Sequence, residues 1–233
     1  VSAILQLFPE LTNVNGDAEN ALVLARRAQW VGIDAEPVPV PAGGGLPTES
    51  PVAVVLGSGV DSALEQTRDA LLGIREALDE WIAAGIPILA VGTGFELLTA
   101  SIELEGRVLD GLAVLPGRAT PLETRAAGEV VVASTWGELI GYENHARGYR
   151  SEGAATLGAV QTGVGNGDGT EGVVSGSVFG THLHGPILAR NPSFAIAILT
   201  AAFGDDGDLY AKTRADGVAE AIRVAALRRA RTV

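Results

Sequence analysis

The chain of 233 residues contains no cysteine. That absence excludes disulfides, thiolate-bound metals and thiol nucleophiles together. Basic side chains are scarce: 16 stand against 28 acidic ones, for a net charge of −12. This balance argues against nucleic acid, whose phosphates attract Lys and Arg, and against an anionic membrane surface. Solubility accounts for it. No apolar run approaches the roughly 20 residues that a membrane helix needs. Val1 to Leu7 is apolar but has no basic flank and no cleavage signature, so it does not read as a secretory signal. The expected compartment is the cytoplasm, with no nucleic acid and no membrane insertion.

What is present is material for a sizeable core: 47% of residues are hydrophobic. The first half alternates strand and helix patterns. Strands are expected at Ser2–Phe8, Ile33–Val40, Val52–Leu56 and Ile88–Val91. Helices are expected from Asp17, as N-cap or first-turn acid, to about Val31, with Gly32 as the stop, and from Ser62 to Ala84. In the second half, short β-like runs follow at Leu112–Leu115, Glu129–Ser134, Ala159–Thr162 and Val173–His182. Helical patterns return at Pro192–Phe203 and Ala215–Ala230, and the basic turn Arg228-Arg229-Ala230-Arg231 suits a helix C-terminus. The expected fold class is α/β: a mostly parallel central sheet flanked by helices, with a partly antiparallel C-terminal portion. One domain is expected over residues 1–233.

Three loops fall at the C-terminal ends of expected strands: Gly57-Ser58-Gly59, Gly92-Thr93-Gly94 and His182-Leu183-His184-Gly185-Pro186. Open α/β sheets bind ligands at that edge, and glycines there let backbone N–H groups approach an anion. The segment 86–98 is an apolar strand, a Gly-x-Gly turn and a helix start, a corner that exposes nucleophiles in hydrolytic α/β enzymes. His145, His182 and His184 are all the histidines. Three imidazoles can hold zinc, but their positions in the fold explain them better, and no metal and no cofactor are expected. His182 and His184, two apart, are expected on one face of a strand, and His145 in a structural loop. Asp168, among glycines, lacks the ladder of acids of a calcium loop and reads as a hairpin turn. Gly57-Ser58-Gly59 is not a phosphate loop, because no Gly-Lys-Ser/Thr follows. Trp30, Trp81 and Trp136 read as core or interface residues.

These motifs resemble class I glutamine amidotransferases. Residues 86–98 are similar to that family's strand and elbow, typically Ala-Ile-Cys-Gly-Gly-Tyr-Gln-Leu-Leu. Gly57-Ser58-Gly59-Val60-Asp61 resembles its Gly-Gly-Gly-Gln-Asp loop, and Gly180-Thr181-His182-Leu183-His184-Gly185-Pro186 its Gly-Thr-Tyr-Leu-His-Gly-Pro segment. Gly16-Asp17 with Asn20, Arg125, Gly141 to His145 and Gly165-Asn166 to Glu171-Gly172 follow the cobyric-acid-synthase-like branch. Within it they are most similar to the glutaminase subunit of lipid II isoglutaminyl synthase, from about residue 3 to about residue 205. The resemblance implies a flavodoxin-like three-layer fold. It implies that Gly92 stands at the nucleophile position, with its Cys lost, and that His184 is the general base. It further implies that Arg125 grips glutamine and that backbone N–H groups around Gly57, Ser58 and Thr93 form an oxyanion hole. Relatives in this branch lack the acid after the His and take an Asp from a Mur-ligase-like partner chain. The implied setting is a heterodimer in peptidoglycan amidation.

Gly92 has no side chain to attack a carbonyl. In a serine protease, removing the nucleophile costs on the order of a millionfold in turnover. Thr93 has a hydroxyl, but one position along it aims elsewhere. Glu96, in place of the family's Gln, adds a possible negative charge near a site meant to form an anion. The leading expectation is therefore a subunit without glutaminase activity, which regulates its partner or binds glutamine without cleaving it. The alternatives are a working glutamine hydrolase supplying ammonia to a Mur-ligase-like partner, and a metal-dependent hydrolase using the histidines.

Overall fold

A computed structural model of the chain describes residues 1–204 and 209–230; the expected terminal Arg231 lies outside them. In chain order its elements are β1 (Ser2–Leu7), α1 (Asn20–Trp30), β2 (Ala35–Val40), β3 (Ala53–Leu56), α2 (Leu64–Gly73), α3 (Arg75–Ala83), β4 (Ile88–Val91) and α4 (Thr93–Leu98). They continue as β5 (Ser101–Leu104), β6 (Arg107–Asp110), β7 (Gly117–Ser134), β8 (Gly137–Ser151), β9 (Gly158–Thr162), β10 (Thr170–Glu171), β11 (Val173–Ser175) and β12 (Val178–Thr181). The helices α5 (Ile187–Arg190), α6 (Pro192–Phe203) and α7 (Arg214–Ala230) close the chain.

Six strands form the first sheet, in the order β11-β12-β4-β3-β1-β2. All neighbours are parallel except the edge pair β11 and β12. Every residue of β3, β4 and β12 is buried, as expected for strands covered on both faces. Their side chains divide by the two-residue period of a strand. Leu5, Leu7, Val54, Leu56, Ile88 and Ala90 pack with Leu64, Leu71, Leu78 and Trp81 of α2 and α3. Ile4, Val55, Leu89 and Val91 pack with Leu24 and Ala25 of α1 and with Phe194 and Ile198 of α6. The result is the three-layer arrangement of an α/β protein. Among the described residues no helix is long and apolar enough to cross a membrane.

Four local expectations need correction. The long helix after β3 divides, because Gly73 ends α2 and Ile74 leaves helical geometry (φ −116°, ψ 18°) before α3 begins. Leu112–Leu115 is not a strand. It crosses the end of α4, where Leu112, Val114 and Leu115 donate N–H groups to the carbonyls of Leu97 and Leu98 that the helix leaves unpaired. Glu129–Ser134 is only the tip of a much longer ribbon, β7 and β8, in a second six-stranded sheet ordered β10-β9-β7-β5-β6 with β8 on β7. That sheet is antiparallel apart from the β5–β7 pair. His145 lies in β8, not in a loop.

Of the tryptophans, Trp81 is core and Trp136 packs on Phe179 and Phe194. Trp30 is on the surface, with the Arg27 guanidinium over its ring. The Asp168 turn does join an antiparallel hairpin, β9 to β10.

Candidate functional site

The loops at the C-terminal edge of the first sheet enclose a cavity of about 230 Å³. Gly92 lies on its wall, between β4 and α4, at φ +54° and ψ −122°. Its N–H donates to Thr181 O of β12, and its carbonyl accepts from Glu96 to open α4. A left-handed backbone on a strand-to-helix corner is strained for any residue but glycine.

The space beside Gly92 is occupied. A Cβ built on it would stand 2.4 Å from Ser58 Oγ, 2.7 Å from Ser58 Cβ and 2.7 Å from His184 Cε1. Ser58 stands where the family loop has glycine. Its Oγ accepts the Thr93 N–H at 3.3 Å, and the Thr93 hydroxyl accepts the Gly59 N–H at 2.7 Å. Two side-chain oxygens thus engage the backbone donors around this corner. Ser58, Thr93, Arg125 and His184 all line the cavity with Gly92; Gly57 does not. A side chain on Gly57 would meet Thr12 O at 2.0 Å, so that glycine serves close backbone packing.

His184 follows β12, and its N–H donates to Tyr142 O of β8. Its Nδ1 lies 3.0 Å from Asp17 Oδ2 and 3.2 Å from the Asn15 side-chain amide. A carboxylate on Nδ1 fixes the proton there and leaves Nε2 as an acceptor. Asp17 Oδ1 also accepts the Gly185 N–H at 3.2 Å. Asp17 is fully buried and makes no helix-capping hydrogen bond. Asp17 is thus an acid of the first turn rather than the N-cap, which is Gly16, and its carboxylate serves the histidine loop. An acid on the histidine is therefore supplied within this chain.

β12 ends at Thr181, so His182, two residues before His184, lies just past the strand rather than on it. Its ring is buried between Phe95 and a stacked His145, with ring centroids 5.1 and 4.1 Å away. Burial holds its pKa well below the ordinary histidine value. Among the described residues no three His, Cys, Asp or Glu side chains group as metal ligands.

Glu96 lines the cavity together with Arg147 and Asp61. Arg147 Nε donates to its Oε2 at 2.8 Å, and the other two Arg147 nitrogens grip Asp61 at 2.7 and 3.0 Å. Burial pushes the Glu96 carboxyl up despite Arg147. The Arg147 hydrogen bonds hold Asp61 below the usual carboxylate range. Arg125 sits where the β7–β8 register slips between Pro121 and Ala126. Such a bulge re-aims side chains, and Arg125 lines the cavity while donating to Asn144 Oδ1 at 2.8 and 3.0 Å.

The Asp17 contact, Asn15 and the Glu96–Arg147–Asp61 chain were not legible from motifs. Asp17, Asp61 and Glu96 each stood in one of those motifs, but Asn15 and Arg147, and the contacts joining them all, had no signal.

Residues 7–192 match the model of the CobB/CobQ-like glutamine amidotransferase domain. The chain is 30% identical over 222 residues to the lipid II isoglutaminyl synthase (glutamine-hydrolyzing) subunit GatD of Staphylococcus aureus, covering 93% of this chain and 90% of that protein. Identity to the same subunit from Streptococcus pneumoniae is 31%, over 89% of this chain and 84% of that one. A cobyric acid synthase from Streptomyces avermitilis is 34% identical over 55% of this chain and 24% of its own length. Among solved structures, a glutamine amidotransferase aligns with TM-score 0.60 at 18% identity, over 85% of this chain and 98% of that one.

Proposed function

Because the chain belongs to the CobB/CobQ-like glutamine amidotransferase family, we propose that it is an amidotransferase-like subunit that no longer hydrolyses glutamine by the thiolate route. One observation carries the reading. The volume a nucleophile's Cβ needs at Gly92 is taken by Ser58 and His184, at 2.4 and 2.7 Å. A simple loss of sulfur leaves a gap; here the gap is filled. In addition, the Thr93 and Gly59 N–H groups already have oxygen partners. An oxyanion needs such donors free, and each one lost costs about 10²–10³ in turnover.

In this reading His184 occupies the general-base position, held by Asp17. Arg125 retains the role of gripping glutamine at the cavity mouth. The similarity to a glutamine-hydrolyzing subunit of lipid II isoglutaminyl synthase supports a place beside a Mur-ligase-like partner in cytoplasmic peptidoglycan amidation. The chain would steady that partner or sense glutamine for it, while the ligase uses free ammonia.

The test separates binding from turnover. Glutamine is titrated calorimetrically into the protein, with and without a Mur-ligase-like partner, and glutamate is assayed in the same samples. Binding that Arg125→Ala abolishes, with no glutamate formed, is expected. Glutamate formation by the unaltered chain overturns the proposal.

A further inference from the structure

We propose that Ser58 is a relocated nucleophile, and that Ser58, His184 and Asp17 form a serine acyl-transfer centre in the same cavity. A Cβ placed on Gly92 would stand 2.4 Å from Ser58 Oγ and 2.7 Å from His184 Cε1, so the hydroxyl and the imidazole flank one point, with no hydrogen bond between them in the resting site. That point is where a side chain at the elbow would begin. Ser58 therefore brings an oxygen into the place the elbow leaves empty, from the neighbouring strand end.

The hydrogen bonds fit this use. Ser58 Oγ accepts from Thr93 N–H, and among the described residues its own proton has no acceptor. His184 is engaged through Nδ1, by Asp17 Oδ2 at 3.0 Å, and Nε2 has no protein partner. One group lacks an acceptor and the other lacks a donor, and both line the cavity. An uncommitted hydroxyl, a base with its tautomer fixed and a buried carboxylate behind it are the roles of a serine triad, which is recognised by geometry and not by chain order. Such contacts tighten only when substrate is bound.

The substrate class follows from the donors. Attack by Ser58 Oγ on an ester carbonyl forms the O–C bond, and His184 Nε2 takes the hydroxyl proton. The ester C–O bond breaks, and His184 returns the proton to the leaving alcohol. Water then releases the acyl group as a carboxylic acid, again through His184. The Thr93 N–H is engaged by Ser58 Oγ itself and the Gly59 N–H by Thr93 Oγ1, so neither is free for the carbonyl oxygen in the resting site. A site this poor in oxyanion donors favours activated esters of small acyl groups, whose leaving groups need less help, over amides. This step is independent of glutamine hydrolysis and goes beyond the function proposed above.

The probes are a fluorophosphonate and p-nitrophenyl acetate. With the former, Ser58 Oγ bonds to phosphorus, fluoride leaves and His184 takes the proton. The folded protein is expected to gain one adduct by intact mass, mapped to Ser58 by peptide sequencing. Ser58→Gly, which returns the family's residue and leaves space, should lose the adduct while keeping its far-UV spectrum and melting transition. His184→Gln should slow labelling and ester cleavage by about 100-fold or more, and urea-unfolded protein should not label. Absence of an adduct on the folded chain overturns the proposal, as does one that persists in Ser58→Gly. Neither result bears on the glutamate assay, so this inference and the loss of glutaminase activity stand or fall separately.

Discussion

Restoring the missing thiol should fail unless Ser58 leaves as well. In Gly92→Cys the new Cβ stands 2.4 Å from Ser58 Oγ and 2.7 Å from His184 Cε1, so both must move. Overpacking of this kind costs roughly 1–3 kcal/mol. Holding a side chain at φ +54° costs on the order of another 1–3 kcal/mol. The single variant should therefore lose about 2–6 kcal/mol, a large part of the roughly 5–15 kcal/mol that holds a domain together. Ser58→Gly removes the main obstacle but not the backbone strain. The double variant Gly92→Cys with Ser58→Gly should thus recover about 1–3 kcal/mol relative to additivity. Thermal melts of the four proteins measure this directly, and each kcal/mol should appear as a shift of about 2–4 °C in Tm. Additive effects, or a Gly92→Cys protein as stable as the parent, would refute the claim that Ser58 fills the nucleophile's space.

Other perturbations probe the supports of the site. Arg27 and Asp216 form a buried ion pair between α1 and α7 at 2.8 Å; Asp216→Ala leaves an unpaired buried guanidinium and should cost about 3–5 kcal/mol at neutral pH. Burial works against the Asp216 charge, but the hydrogen bonds from Arg27 and Thr213 together with the Arg27 charge outweigh it and lower the pKa. A lowered carboxylate pKa stabilises the fold above its unfolded value of about 4 and loses that contribution as pH falls through the folded value, so the gap between parent and Asp216→Ala should narrow in melts near pH 3. Gly94→Ala drives a Cβ to 2.4 Å from Gly57 O and 2.7 Å from Leu56, and calorimetry should show a loss of about 1–3 kcal/mol. Arg125→Ala should change stability by less than about 0.5 kcal/mol, because its hydrogen bonds are exposed.

The centre of the first sheet was readable because β3 and β4 are short unbroken apolar runs. Val52–Leu56 and Ile88–Val91 carry no competing pattern, and Pro192–Phe203 begins and ends where α6 does. The second sheet was hidden for a physical reason. β7 carries Pro121, Glu123 and Arg125 at a register slip and Gly128 just beyond it, and its partner β8 contains Gly141 and Gly148. Such strands show neither alternation nor a hydrophobic run. They are held by their mutual pairing and by helix α7. The same logic applies to the site. The glycine loops announced themselves through chain chemistry, and they do meet around one cavity. Asp17 did not, because a carboxylate near a helix start reads as a cap until the fold places His184 beside it. Ser58 looked like part of a backbone donor loop; only the packing around Gly92 reveals its side chain as the filler.

The most direct measurement is glutamate formed from saturating glutamine by the parent chain and by the Gly92→Cys, Ser58→Gly double variant, each assayed alone and with an added Mur-ligase-like protein. None from the parent, and turnover appearing only in the double variant, is the predicted result. Glutamate release by the parent that disappears in His184→Gln would contradict the account.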